Sequence, residues 1–519
     1  MRRIFNEQLR EYCSRDYYPW HMPGHKRQRT ETFAAKGPKA GVEGLHETGF
    51  GFDLDVTEVP GLDNLHVPEG VLAESLAQLP QVYGSVKSYY LVNGSTAGIL
   101  TAVSALCDRG DTIIMSRNCH KAVYNIVALL DLAPVYLYPE MMEPYGICGS
   151  IIPEQVEQVL REHPEAKAVI FPSPTYEGVI SDVRTISRIV HRAGSRLIVD
   201  AAHGAHLEFG AGFPEAAVRC GADLVIESLH KTLPCYTQCA ILHVGTGEIN
   251  DGLTGVSADC RELTERVEWY LRVYQTSSPS YLFVAGMEDC IATMEEWRDT
   301  RMMEYHDRLK RYRMRWSGLQ ALHLLTAEEV QNAGGFAYDE SKLVFCMPEG
   351  GPDGESFCRE LEARYGMVLE MATLNYGLAM TSVMDTEEGY ERLDRALQEI
   401  DRRLAGAAVS SQHSSHAIDT LTERSGRMVF LPGTALKMKS GMTALSEAAG
   451  QIAADYVTVY PPGIPVLVPG EEISAVQEAF IMKCIQAGLT VHGTGRKPSG
   501  EVENEFYIKV IKEGINSSI

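Results

Sequence analysis

With 519 residues, 45% of them hydrophobic and 22% charged, the chain has a globular make-up and is too long for one ordinary core. A formal net charge of -22 argues against nucleic-acid binding, which needs a basic patch; it suits attraction of small cations, or plain solubility. No apolar run reaches membrane-spanning length and the N-terminus lacks the apolar core of a signal peptide, so we expect a cytoplasmic chain with no membrane partner.

The 12 cysteines are scattered, without a Cys-x-x-Cys pair. Their even number leaves a disulfide framework open. Chain length and the expected compartment favour reduced, buried thiols, and no metal site is predicted.

Residues 1–60 are irregular and rich in aromatic residues, glycine, proline and histidine, as in His21-Met-Pro-Gly-His-Lys26. Such an arm either wraps a partner subunit or lines a pocket of the main domain. His21 and His25 are loop hydrogen-bonders or lower-ranked site candidates. From about residue 70 the pattern is regular. Glu69–Leu79 reads as a helix and Ser88–Val92 as a strand, followed by the turn Asn93-Gly94-Ser95-Thr96 into an apolar helix ending at Cys107. The amides, hydroxyls and helix dipole of such a turn suit an anion such as phosphate. A simple N-cap by Ser95 or Thr96 is the alternative.

Asp111–Met115 is a strand, and Ser116–His120 opens a helix through Leu130. His120 there either stacks on a planar ring or bonds locally. A helix (Pro153–His163), a strand (Lys167–Phe171), the loop Pro172–Gly178 and a helix (Asp182–Ala193) follow.

Two β-branched apolar runs then stop abruptly at polar residues. One is Arg196-Leu-Ile-Val-Asp200, leading to His203; the other, after a short helix (Pro214–Cys220), leads to Ser228, His230 and Lys231. Buried parallel strands end this way where they feed a catalytic loop. A strand-end lysine beside a serine and a histidine, downstream of a strand-end aspartate, is what a pyridoxal-phosphate site requires. The lysine bonds the aldehyde, the aspartate pairs with the pyridinium nitrogen and the hydroxyl holds phosphate. With Ala240–Val244 as a further strand, residues 88–244 predict an α/β fold: a mostly parallel sheet, helices on both faces, and ligands at the carboxyl ends of the strands.

Beyond Gln275–Tyr281, one long helical stretch over Phe283–Ser317 predicts a connector between lobes. Strands at Lys342–Cys346 and Met367–Glu370, with helices at Gly354–Tyr365 and Glu387–Leu404, predict a small α+β lobe. Residues 405–425 are small and polar, a linker. A last α+β unit is expected to hold a helix over Ser446–Ala454 and the segment Val457–Glu471. The expected division is an N-terminal arm (1–60), a large cofactor-binding domain (61–300), a small lobe (301–404), a linker (405–425) and a C-terminal domain (426–519).

The motifs Trp20-His-Met-Pro-Gly-His-Lys26, Asp63-Asn-Leu-His-Val-Pro-Glu-Gly70, Val92-Asn-Gly-Ser-Thr96, Arg117-Asn-Cys-His-Lys121, Asp200-Ala-Ala-His203, Ser228-Leu-His-Lys231 and Tyr460-Pro-Pro-Gly-Ile-Pro465 span nearly the whole chain. Together they resemble the fold-type-I, pyridoxal-phosphate-dependent ornithine/lysine/arginine decarboxylases, in the shorter form without an N-terminal wing domain. The resemblance implies decarboxylation of a basic L-amino acid, arginine ahead of lysine and ornithine, to the amine and CO2. It implies Lys231 as the Schiff-base lysine, Asp200 on the pyridinium, and His120 on the ring face. Gly94, Ser95, Thr96 and Ser228 would hold phosphate, with His203 and His230 close to the cofactor. The run Thr276-Ser277-Ser278 resembles a segment that reaches phosphate from a neighbouring subunit, implying at least a homodimer.

His230, beside the lysine, is the candidate donor of a proton to the substrate Cα. The distal cation of such a substrate wants a carboxylate, for which Asp53, Asp55, Glu58, Asp63 and Glu471 are candidates. The competing enzyme is an aminotransferase of the same fold, which commonly clamps the α-carboxylate with a small-lobe arginine. No Arg or Lys lies between Arg364 and Arg392, which favours decarboxylation. A ligand-responsive regulator would need a DNA-binding segment or the loss of Lys231, and the sequence offers neither.

Overall fold

The structure, a computed structural model, describes residues 16–20, 62–142, 145–210, 212–247, 258–406, 426–460, 463–486, 488–496 and 505–512. Seven strands make the central sheet, in the order Lys87–Leu91, Ala240–Val244, Leu224–Glu227, Arg196–Asp200, Ala168–Pro172, Thr112–Ser116 and Ala133–Leu137. Neighbours pair in parallel except Ala240–Val244, which runs antiparallel to both of its neighbours. The edge strand Ala133–Leu137 escapes the sequence reading because it carries Pro134, a residue that a sheet accepts at its edge.

Alternate strand residues go to opposite faces. Val169, Phe171, Leu197, Val199 and Val225 enter one core, while Ala168, Ile170, Ile198, Leu224 and Ile226 enter the other. Both faces are therefore apolar, and the strands read as unbroken hydrophobic runs. Helices Val71–Tyr83, Pro153–Glu162, Val183–Arg192 and Tyr281–Trp297 cover the first face; Gly94–Leu106, Lys121–Leu129 and Ala258–Tyr274 cover the second. Gly98 lets its helix sit directly on the sheet. A Cβ there would lie 2.7 Å from Leu91 Cδ1 and 2.9 Å from Ile226 Cγ2.

The expected helix over Phe283–Ser317 is two helices, Tyr281–Trp297 and Arg301–Trp316. The break falls where the Arg298 guanidinium donates to the Glu208 carbonyl oxygen (2.7 Å), a tertiary contact with no trace in the local pattern. The first helix packs in the large core. The second, through Leu309, Tyr312 and Trp316, packs in the small-lobe core. Pro214–Cys220 forms only a 3-10 turn, Ala217–Cys220.

The small lobe has a four-stranded antiparallel sheet, ordered His323–Leu324, Lys342–Cys346, Tyr376–Met380, Met371–Ala372. Within the arm, Tyr18–Trp20 pairs in parallel with Met367–Leu369, and Trp20 is buried against Tyr390. That piece of the arm is thus built into the small lobe. His21, His25, Asp53, Asp55 and Glu58 lie outside the described residues.

The C-terminal unit holds two three-stranded sheets and one longer helix, Ala475–Gln486. The expected helix at Ser446–Ala454 is a single 3-10 turn, Leu445–Glu447. Past it, Gly450 adopts φ +79°, and Ile452 and Ala453 make β-bridges to Glu472 and Val510. Among the described residues no helix is long and apolar enough to cross a membrane.

Candidate active site

The loops after the parallel strands converge, with the N-terminus of helix Gly94–Leu106, on a cavity of about 530 Å3. Gly94, Ser95, Thr96, His120, Asp200, His203, Ser228, His230 and Lys231 all line it. Residues up to 137 positions apart in sequence are brought together because each ends a neighbouring strand or opens the helix beside it.

At one end, Gly94 takes φ +74° to start its helix, and Asn93 makes no side-chain cap, so no side chain of the N-cap competes for the first-turn amides. Ser95 Oγ and Ser228 Oγ lie 2.5 Å apart there. Two convergent hydroxyls at a helix N-terminus make a site suited to phosphate. Asp200 ends its strand with Oδ1 accepting from the Ala202 amide (3.2 Å). His120 Nδ1 accepts from the Ala122 amide (3.2 Å), so it bonds locally while its ring remains in the cavity wall.

The amine sits between these groups. Lys231 Nζ is 2.8 Å from His203 Nε2 and 5.7 Å from the centre of the Tyr176 ring. Loss of water, aided by the charge of Lys342 and opposed by Asp200 and Glu370, pulls the Lys231 amine below the ordinary lysine range. Burial, with Lys231 and Lys342 nearby, keeps His203 neutral by holding its pKa well below the usual value. His230 is oriented by a 2.9 Å bond from Nδ1 to the Cys239 carbonyl oxygen, where the ring N–H donates.

Other expectations are redirected. Ser277 and Ser278 are exposed and do not line this cavity; Thr276 donates its amide to Asn93 Oδ1 (3.1 Å) at the rim. Asp63 is a helix cap, with Oδ2 accepting from the amides of Glu69 (3.2 Å), Gly70 (2.5 Å) and Leu72 (3.0 Å). Glu471 is buried 3.4 Å from Arg117. Neither carboxylate lines the cavity. The lining carboxylates, among the described residues, are Asp200 and Glu177. Glu177 accepts a 2.7 Å hydrogen bond from the Tyr376 hydroxyl, and burial pushes its pKa up.

In the sequence Glu177 falls in the loop Pro172–Gly178, where only its place after a parallel strand marks it. Nor does the sequence pattern reveal that the C-terminal unit walls the cavity, through Ile464, Val466, Phe480 and Cys484. The Tyr460–Pro465 motif was the available signal.

A reactive amine, one carboxylate and a hydroxyl pair at a helix start match, group for group, the aldehyde, ring nitrogen and phosphate of pyridoxal phosphate. Comparison with known proteins points the same way. The arginine decarboxylase of Bacillus subtilis (strain 168) is 29% identical over 511 residues, 97% of each chain. That of Bacillus anthracis is 27% identical over 489 residues, 93% of each chain. The solved lysine decarboxylase LdcF of Francisella novicida shares the fold, with a TM-score of 0.73 over 98% of this chain and 83% of that one at 18% identity. The family model for the Orn/Lys/Arg decarboxylase major domain matches residues 4–339 and that for the C-terminal domain residues 428–488, so the chain belongs to the Orn/Lys/Arg decarboxylase family.

Proposed function

We propose that the protein is a pyridoxal-phosphate-dependent decarboxylase of a basic L-amino acid, arginine ahead of lysine and ornithine. The observation that carries this reading is one cavity uniting Lys231, Asp200 and the Ser95–Ser228 hydroxyl pair. When bound, the cofactor supplies an electron sink for the pair left behind as CO2 departs. Lys231 would hold it through its aldehyde, and Asp200 would keep the ring nitrogen protonated. Ser95, Thr96, Ser228 and the amides from Gly94 onward would bind phosphate, while His120 would cover the ring and His203 would flank it. His230 is the donor we assign for returning a proton to Cα, its ring held in place by Cys239.

Among the described residues no arginine lines the cavity, which favours decarboxylation over an aminotransferase's carboxylate clamp. With Asp200 given to the cofactor, Glu177 is the lining carboxylate left to meet the substrate's distal cation. Exposure of Ser277 and Ser278 suits a role in a second copy's site, so we propose at least a homodimer, working in the cytoplasm. We also propose the division into a large domain, a small lobe and a C-terminal domain, with cores as described.

The test is to supply arginine, lysine and ornithine in turn and measure amine, CO2 and keto acid. CO2 and agmatine from arginine are expected. Keto acid without CO2 would refute the reading, as would normal turnover by Lys231→Ala.

A further inference from the structure

Behind the cavity wall, where the small lobe meets the loop after Asp200, lies an ion pair with side chains 0% exposed: Lys342 Nζ and Asp339 Oδ2, 2.7 Å apart. Asp339 Oδ1 is 3.2 Å from His206 Nε2. Lys342 Nζ donates further to Ser341 Oγ (3.0 Å) and to the backbone carbonyl oxygen of His203 (3.3 Å). The same His203 places Nε2 2.8 Å from Lys231 Nζ. One residue therefore separates a small-lobe cation from the amine of the site. Stability alone is a weak reason for such a pair, because apolar residues of similar volume often serve as well.

We propose that Lys342 is a positioning residue: ion-paired with Asp339, it pins the His203 backbone and so sets the His203 ring, with a positive charge behind it, against the Lys231 amine. This rests on the assignment of Lys231 as the cofactor lysine. The step served is condensation of that amine with the cofactor aldehyde. An N–C bond forms and the aldehyde oxygen leaves as water, with no change in oxidation state.

The surrounding charges set the direction of the effect. Lys231 also faces Asp200 and Glu370, which favour the charged amine, and the neutral His203; His120 is a further neighbour. Around Lys342, the Arg313 guanidinium (3.4 Å) and the Tyr338 hydroxyl (2.9 Å) donate to its carbonyl oxygen, and Tyr305 lies in the field of Asp339. Asp339 faces Lys342 and His206, and it is the Lys342 amine that reaches the His203 backbone.

The experiment uses the full chain and reads the rate of pyridoxal-phosphate attachment, by absorbance, across pH. In Lys342→Met that profile is expected to move to higher pH, so that loading on its acid side slows. The double variant Asp339→Asn/Lys342→Met removes both members of the ion pair together and is expected to show a displacement in the same direction, so it decides the matter if the single variant does not fold. A purely structural pair would lower the unfolding temperature and leave the profile in place. Coincident profiles for the unaltered protein and the double variant overturn the proposal. Failure of the unaltered protein to attach the cofactor at Lys231 overturns the assignment of that lysine as well.

Discussion

Replacing Glu177 with glutamine keeps the size of the side chain and an acceptor for Tyr376, and removes only the charge offered to a distal cation. A hydrogen bond to a charged group contributes about 1.5–3 kcal/mol, so kcat/KM for arginine should fall roughly 10- to 150-fold. The loss should appear mainly in KM, because a contact far from the breaking bond is made equally before and during reaction. Burial raises the pKa of Glu177 on folding, so between the unfolded and folded values the folded chain holds more protons. Stability is then highest below the unfolded value and is lost as pH rises through the folded one. Glu177→Gln escapes that cost and should unfold at a higher temperature than the unaltered protein in neutral or basic buffer, the gap closing in acid. Arginine affinity should weaken as pH falls through the raised pKa, since only the carboxylate attracts the cation. CO2 release against arginine concentration at several pH values, with calorimetry alongside, measures both effects. An unchanged kcat/KM with an unchanged pH dependence would refute the role, whatever happens to stability.

Four further outcomes are expected. Arg117 and Glu471 join the large domain to the C-terminal unit with side chains 4% and 0% exposed. Arg117→Met strands the carboxylate and should cost about 3–5 kcal/mol in urea unfolding, much of it recovered by adding Glu471→Leu. Gly98→Ala pushes a methyl to within 2.7 Å of Leu91 and 2.9 Å of Ile226, and should cost about 1–3 kcal/mol by overpacking, read as a lowered Tm. Light scattering should give at least twice the 57.3 kDa chain mass, and Ser277→Ala/Ser278→Ala should weaken cofactor retention while leaving secondary structure intact.

Much of the fold is written locally. Ala240–Val244 and Gly354–Tyr365 lie where the pattern puts them, because a buried strand and an amphipathic helix each declare themselves within a few residues. The capping box Ser474-x-x-Gln477, in which the Gln477 amide donates to Ser474 Oγ (3.1 Å), was an equally local signal for the C-terminal helix. The Ser446–Ala454 run carries helix propensity in its small residues, yet its backbone bonds to Glu471, Ile473 and the strand Phe506–Ile511. Propensity lost there to tertiary pairing.

The chain's order of residues also determined the heart of the site. Strand ends at Asp200 and Ser228, with a lysine three residues on, put a carboxylate and an amine at the carboxyl ends of two parallel strands; that those strands are neighbours is decided by the sheet. Which carboxylate faces the cavity was left to the tertiary structure. Asp63 caps a helix, Glu471 pairs with Arg117, and Glu177 turns inward, yet all three are acidic residues in loops. The Lys342–His203 contact joins positions 139 residues apart and has no periodicity to announce it. Backbone pattern is set by neighbours along the chain; the partner of a side chain is set by what folding brings beside it.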